Sequence, residues 1–131
     1  MILVDSSVWI DFFNGVESAQ VGILDASLGE VPIIVGDLIM TEVLQGFRST
    51  RDFNAARTAL DQFEYRDMVG RDIALQSAGN YRLLRRQGIT VRKTIDVIIA
   101  TYCVENSIAL LHADRDFDPM EKILGLSVVA G

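Results

Sequence analysis

Four apolar runs of strand length, ILV at 2–4, PIIV at 32–35, IALLHA at 108–113 and LSVV at 126–129, are separated by longer stretches in which apolar residues recur with helical spacing. Runs this short and this continuously apolar suit strands covered on both faces, and their alternation with helices predicts a parallel sheet flanked by helices. The expected class is α/β. Helices are expected over 7–14, 17–28, 37–47 with Asp37 as N-cap, 51–63, 71–87 closed by Gly88, 94–106 and 116–124. Gly15, Gly22, Gly29 and Gly36 are spaced by seven, but the residues between them do not repeat. With no linker or low-complexity tract, residues 1–131 read as one domain.

Half of the residues are hydrophobic and 23% are charged, a balance that favours a folded chain over a disordered one. Cys103, the only cysteine, lies in an apolar stretch and reads as a small buried hydrophobe, so a reducing, cytoplasmic setting is expected. The opening MILVDSS has no positive n-region, and no apolar run approaches the roughly eighteen residues a membrane span needs.

Within RKTIDVIIATYCV, residues 92–104, the single carboxylate is Asp96, with Ile95 before it, Val97, Ile98 and Ile99 behind it, and no base on the helix it opens. Thr94 already offers a cap, and the helix dipole would return only about 0.3–1 kcal/mol. Desolvating an uncompensated carboxylate costs several kcal/mol. Asp96 therefore needs a partner from elsewhere.

Other acids occupy places where a parallel sheet binds ligands, outside the carboxyl ends of its strands. Asp5 follows the first apolar run, Asp114 and Asp116 follow IALLHA, and Glu42 sits among Leu38, Ile39, Met40, Val43 and Leu44. Each has a plain structural role open to it: Asp5 or Asp116 as a cap, Asp114 in a turn, Glu42 facing solvent. Five acids gathered in one cleft would repel, and Mg²⁺ or Mn²⁺ resolves that conflict because hard cations take carboxylate oxygens.

Carboxylates around such an ion suit phosphodiester hydrolysis. The lone His112 cannot supply the paired histidines of metal-free ribonucleases, and neither a Walker-type glycine loop nor a G-x-S-x-G elbow occurs. A net charge of −6 argues against a basic footprint, yet Arg82, Arg85, Arg86, Arg92 and Lys93 cluster in a window free of acids between Asp72 and Asp96. That window is either a solvated helix face or a phosphate-facing one.

MILVDSSVWIDFF, TEVLQGF, RKTIDVIIA and LLHADRDFD, in this order and spacing, resemble the PIN-domain ribonucleases and specifically the VapC-type toxins of toxin–antitoxin pairs. The resemblance implies a three-layer α/β/α sandwich around a parallel sheet and a Mg²⁺- or Mn²⁺-dependent endoribonuclease. It further implies a homodimer, a cognate VapB-type antitoxin whose tail puts a basic side chain into the acidic cleft, and a higher toxin–antitoxin assembly. By that likeness Asp5, Glu42, Asp96 and Asp114 are the catalytic acids, and Asp116 joins them as a metal ligand. Ser6 and Ser7 support the first carboxylate, with Ser in place of the commoner Thr, and Arg92 matches the basic position before the third acid. A structured RNA with an exposed single-stranded loop is the expected substrate, with Arg85, Arg86, Arg92 and Lys93 touching phosphates. Trp9, Phe12 and Phe13 are assigned to the core or a dimer contact.

Rival readings are weaker. A phosphoacceptor domain needs a lysine after a strand, which neither Lys93 nor Lys122 provides, and a haloacid-type hydrolase needs an acid where Ser7 stands. A PIN-like module that only binds RNA or protein has no reason to keep all five acids.

Overall fold

A computed structural model describes residues 1–130. Strands β1 (Ile2–Val4), β2 (Ile33–Gly36), β3 (Glu64–Arg66) and β4 (Ala109–Leu111) form one sheet of order β3-β2-β1-β4. All three pairings are parallel, with Leu3 opposite both Ile34 and Leu110. Helices α1 (Ser6–Phe13), α2 (Ala19–Ser27), α3 (Asp37–Leu44), α4 (Thr50–Leu60), α5 (Gly70–Arg86), α6 (Thr94–Glu105) and α7 (Asp118–Leu124) flank it, giving the expected three-layer sandwich. Helices α1 to α4 pack mainly on one another, as do α5 to α7.

β1 and β2 are buried along their whole length, which is why their sequences are unbroken apolar runs. Leu3, Ile34 and Leu110 on the sheet, Trp9 and Leu24 on one helical group, and Leu84 on the other are all essentially inaccessible. Burial on this scale is the main stabilising contribution, at about 25 cal/mol per Å² of apolar surface.

Two expectations about strands fail. LSVV forms no strand of the sheet: Val128 makes one isolated parallel bridge to Leu110, held by Leu110 N–H to Ser127 O and Val129 N–H to Leu110 O, both 2.9 Å. The fourth strand is instead β3, whose sequence EYR carries no apolar run. It lies at the sheet edge with Tyr65 half exposed, so it needs no apolar pattern to be stable there. Two caps also differ. Asp37 is the first helical residue behind the N-cap Gly36, and its carboxylate accepts from the N–H groups of Leu38 and Met68. Lys93 rather than Thr94 is the N-cap of α6.

The strand order matters for function. The chain runs outward from β1 through β2 to β3, then returns to add β4 on the other side of β1. The topological switch point therefore falls between β1 and β4, and connections leave the carboxyl ends of these two strands in opposite directions, opening a crevice there.

Candidate active site

Asp5 leaves β1 at that crevice. Its N–H donates to Leu111 O at 2.9 Å, continuing the pairing with β4, and its side chain caps α1. Oδ2 accepts from Ser7 N–H at 3.0 Å and from the Ser7 hydroxyl. Oδ1 is buried and has no hydrogen-bond partner among the described residues. Capping thus explains one oxygen of Asp5 and leaves the other free.

Ser7 does a second job, since its Oγ accepts from Ala113 N–H at 3.0 Å and so ties the end of β1 to the segment after β4. Ser6 faces the other way and donates to Glu42 Oε1 at 3.1 Å. Glu42 stands on α3, directly behind β2, and is half buried.

Asp96 lies in the first turn of α6 and is only 3% exposed. Asp114 follows β4 and caps the 3₁₀ turn Arg115–Phe117, its Oδ1 accepting from Asp116 N–H at 2.9 Å. Asp96, Asp114 and Asp116 each present a carboxylate oxygen within 4.8 Å of the others. Asp5 adjoins this group closely enough that its charge acts on Asp96 and Glu42.

Cations reach the acids from one segment. Lys93 Nζ lies 3.3 Å from Asp114 Oδ2 and 3.4 Å from Asp96 Oδ2, while Arg92 Nη1 is 3.7 Å from Asp116 Oδ1. The helix that Asp96 opens carries no base of its own, but Lys93 sits just outside it, three residues before Asp96. The contact to Asp96 has ion-pair distance without hydrogen-bond alignment, and Asp96 Oδ2 remains without a hydrogen-bond partner.

Electrostatics around the group are unbalanced. Burial raises Asp5 above its ordinary value, against the Ser7 and Ser6 hydrogen bonds, and the Asp114 charge adds to the rise. Burial and then the Asp5 charge raise Glu42. Asp96 is pushed up to about 6, first by burial and then by the Asp5 and Asp114 charges, although Lys93 pulls the other way. For Asp114, burial is outweighed by the Asp116 N–H and by Lys93, which together hold it below the ordinary carboxylate value. Lys93 is raised by Asp96 and Asp114 in spite of its own desolvation. One ammonium leaves three carboxylates with raised proton affinity, so the cluster still wants positive charge.

That residual demand, together with the two buried oxygens that accept no hydrogen bond, is the test of whether the residues fit a divalent cation. They fit: Asp96, Asp114 and Asp116 offer carboxylate oxygens, the set that hard cations prefer, and Asp96 Oδ2, like Asp5 Oδ1 nearby, accepts no hydrogen bond from the described residues.

Arg85 and Arg86 do not join the cluster. Both are on the last turn of α5, where the Arg85 guanidinium lies 5.8 Å from the centre of the Tyr81 ring; among the described residues neither makes an ion pair. Arg85 does border a hollow with Gly88, Ile89 and Val91, in the loop that leads to Arg92. His112 supports the turn rather than the acids, its Nδ1 accepting from Asp114 N–H at 3.2 Å and its ring packing on Phe117. Trp9 is in the core, packed against Phe12, Phe13 and Phe63. Cys103 is buried, and burial pushes its thiol up to about 12. A roomier hollow of about 460 Å³, lined by Ala74, Tyr81, Arg82, Thr94 and Ile98 among others, has no carboxylate in its lining.

The sequence pattern that defines the PIN domain matches residues 2–123. The chain belongs to the PIN-domain family. This PIN domain is 30% identical to ribonuclease VapC11 of Mycobacterium tuberculosis over 135 residues, covering 99% of this chain and 98% of that protein. In fold it is similar to VapBC2 of Rickettsia felis, solved with a DNA fragment from its promoter: TM-score 0.77, 13% identity, 98% of each chain covered. It is also similar to VapC20 of M. tuberculosis, a sarcin–ricin loop cleaving toxin, with TM-score 0.72, 17% identity and full coverage of both chains.

Proposed function

We propose that residues 1–131 form one PIN domain acting as a ribonuclease toxin of the VapC type, which hydrolyses RNA phosphodiester bonds and is neutralised by a cognate VapB-type antitoxin. The observation that carries this reading is a cluster of acids from separate segments in which two buried oxygens, Asp5 Oδ1 and Asp96 Oδ2, accept no hydrogen bond from the described residues, with one ammonium at ion-pair distance from the second. Such oxygens are costly in a folded protein unless something binds them.

Asp5, Asp96 and Asp114 would hold Mg²⁺ or Mn²⁺, with Glu42 and Asp116 completing the acidic set. When bound, such a cation supplies activation of water and neutralises charge that develops on the phosphoryl group. The remaining work falls to the chain. Ser7 fixes the Asp5 carboxylate, Ser6 fixes Glu42, and Glu42, raised in proton affinity and half buried, is suited to take a proton from the attacking water. Arg92 and Lys93 stand beside the acids and would seat the scissile strand by its phosphates, with Arg85 and Arg86 further along the same path.

The substrate is proposed to be structured RNA cut in an exposed loop, a reading supported by the likeness in fold to VapC20, a sarcin–ricin loop cleaving toxin. The acidic cluster suits an antitoxin that inserts an arginine or lysine, and toxin–antitoxin complexes are among the similar structures. We further propose a homodimer within that assembly and a cytoplasmic location; no helix among the described residues is long and apolar enough to cross a membrane.

The test is RNA cleavage with Mg²⁺ or Mn²⁺, with new 5′ ends mapped, in the presence and absence of EDTA and of the antitoxin encoded next to it. Cleavage abolished by EDTA, by the antitoxin and by Asp5→Asn is expected. Cleavage that survives EDTA and Asp5→Asn would refute the assignment.

A further inference from the structure

We propose that Lys93 is a built-in stand-in for the divalent cation: its ammonium holds the Asp96 and Asp114 carboxylates together in the metal-free protein and is released when a divalent ion binds. The inference rests on the metal-binding reading of the preceding section and adds to it a competition between a side chain and the ion.

Three observations point this way. First, Nζ stands almost equidistant from Asp114 Oδ2 (3.3 Å) and Asp96 Oδ2 (3.4 Å), bridging acids that arrive from two separate segments. Those are oxygens that a cation between the two aspartates would need, so ammonium and dication cannot both have them. Second, helix stability gives no reason for a lysine here. Lys93 is the N-cap of the twelve-residue α6, makes no side-chain capping bond, and puts a positive charge at the positive end of the helix dipole. The carboxylates are what hold it. Third, the side chain is free to leave. It is 48% exposed and anchored only at its tip, whereas the Asp96 carboxylate is 4% exposed and fixed in place. A compact charge on a flexible four-carbon stem is suited to such an exchange, and an arginine with its planar fork is less so.

Arg92 serves as the natural contrast. It is the adjacent residue, carries the same charge, and among the described residues pairs only with Asp116, at 3.7 Å, while remaining 71% exposed. General attraction of a positive side chain to an acidic cleft would make Arg92 and Lys93 equivalent. The bridging geometry makes them different. Release of Lys93 would also leave its ammonium beside the site and available to an RNA phosphate, so that metal loading and substrate binding would be favoured together.

Amine acetylation read by mass spectrometry tests this on the unaltered protein, which has only two lysines, Lys93 and the exposed Lys122. Lys93 is expected to be protected without metal and to react several-fold faster once Mn²⁺ is added, with Lys122 unchanged as the internal reference. Calorimetric titration with Mn²⁺ supplies the second arm. Lys93→Met is expected to bind Mn²⁺ roughly tenfold more tightly and to melt at a lower temperature without metal, and Arg92→Met to change both much less. An acetylation rate indifferent to Mn²⁺, or equal effects of the two substitutions, would overturn the inference and leave the metal site standing. Failure of the wild-type protein to bind Mn²⁺ at all would overturn both.

Discussion

Ser6 Oγ donates to Glu42 Oε1 at 3.1 Å, joining residues 36 apart in the chain and locking the first turn of α1 to the helix behind β2. The bond also favours the ionised form of Glu42, against burial and the Asp5 charge that raise its proton affinity. Ser6→Ala should cost only about 1 kcal/mol of stability, as for one ordinary hydrogen bond. Cleavage should fall roughly tenfold at neutral pH, and the acid limb of the pH–rate profile should move to higher pH. Ser6→Thr, which keeps the hydroxyl, should restore both; a rate profile unchanged by Ser6→Ala would show that Glu42 needs no such support.

Without metal, the acids should make the protein less stable as pH rises. Asp96 titrates at about 6 in the folded state, from an ordinary value of 3.8. The folded chain thus holds a proton that the unfolded chain has already released, so this contribution is complete below the unfolded value and is lost as pH climbs through about 6. Asp5 and Glu42 are shifted the same way, while Asp114, shifted down, loses its contribution only at more acidic pH. A free energy of unfolding that declines between about pH 4 and pH 6.5, by the order of 2 kcal/mol, is expected in EDTA and is read as a falling melting temperature. Asp96→Asn should flatten the decline, and saturating Mn²⁺ should reverse it because the ligands must be deprotonated to bind. A flat profile in the wild-type protein would show the cluster to be already neutralised.

β1, β2 and β4 are legible in the sequence because buried parallel strands must be apolar throughout, and Ile2–Val4 and Ile33–Val35 have no polar side chain to obscure the pattern. Glu64–Arg66 is not legible: an edge strand half open to water carries no such constraint, and its pairing is made by backbone groups that any residue owns. LSVV misleads for the opposite reason, since Leu126 is buried in the core and the run meets the sheet only in a single bridge centred on Val128. The acids could be picked out one by one from their apolar neighbours or strand-end positions. Lys93 as their partner could not, because the i, i+3 spacing to Asp96 is visible but the simultaneous reach to Asp114, 21 residues on, exists only once β4 lies beside β1.

Arg92 and the pair Arg85 and Arg86 should separate in RNA binding. Arg92 stands at the acids and Arg85 is held near Tyr81, so Arg92→Ala should weaken binding of an uncleaved RNA at low salt more than Arg85→Ala does. Each true phosphate contact removed should reduce the slope of log affinity against log salt by about 0.7 for a single strand. Binding and slope both unchanged in the double variant Arg85→Ala, Arg86→Ala would remove those two from the substrate path.

Gly36 links the core to the site. A Cβ at this position would overlap the buried Met68 Sδ and Cγ, and Gly36 is the N-cap of the helix that carries Glu42. Gly36→Ala should therefore destabilise the fold by about 1–3 kcal/mol through overpacking, and displace Glu42 enough to lower cleavage beyond what the lost stability explains. Thermal melting and single-turnover cleavage below the melting range would check this; a variant as stable and active as wild type would mean that Met68 can move aside without cost.

The central claim is that acids from separate segments share one divalent cation at the β1–β4 crevice. Anomalous diffraction from crystals soaked in Mn²⁺ tests it most directly. The expected result is a peak bounded by the carboxylates of Asp5, Asp96 and Asp114, lost in Asp96→Asn crystals. Density confined to exposed acids such as Asp52 or Asp72, with no peak at the crevice, would contradict it.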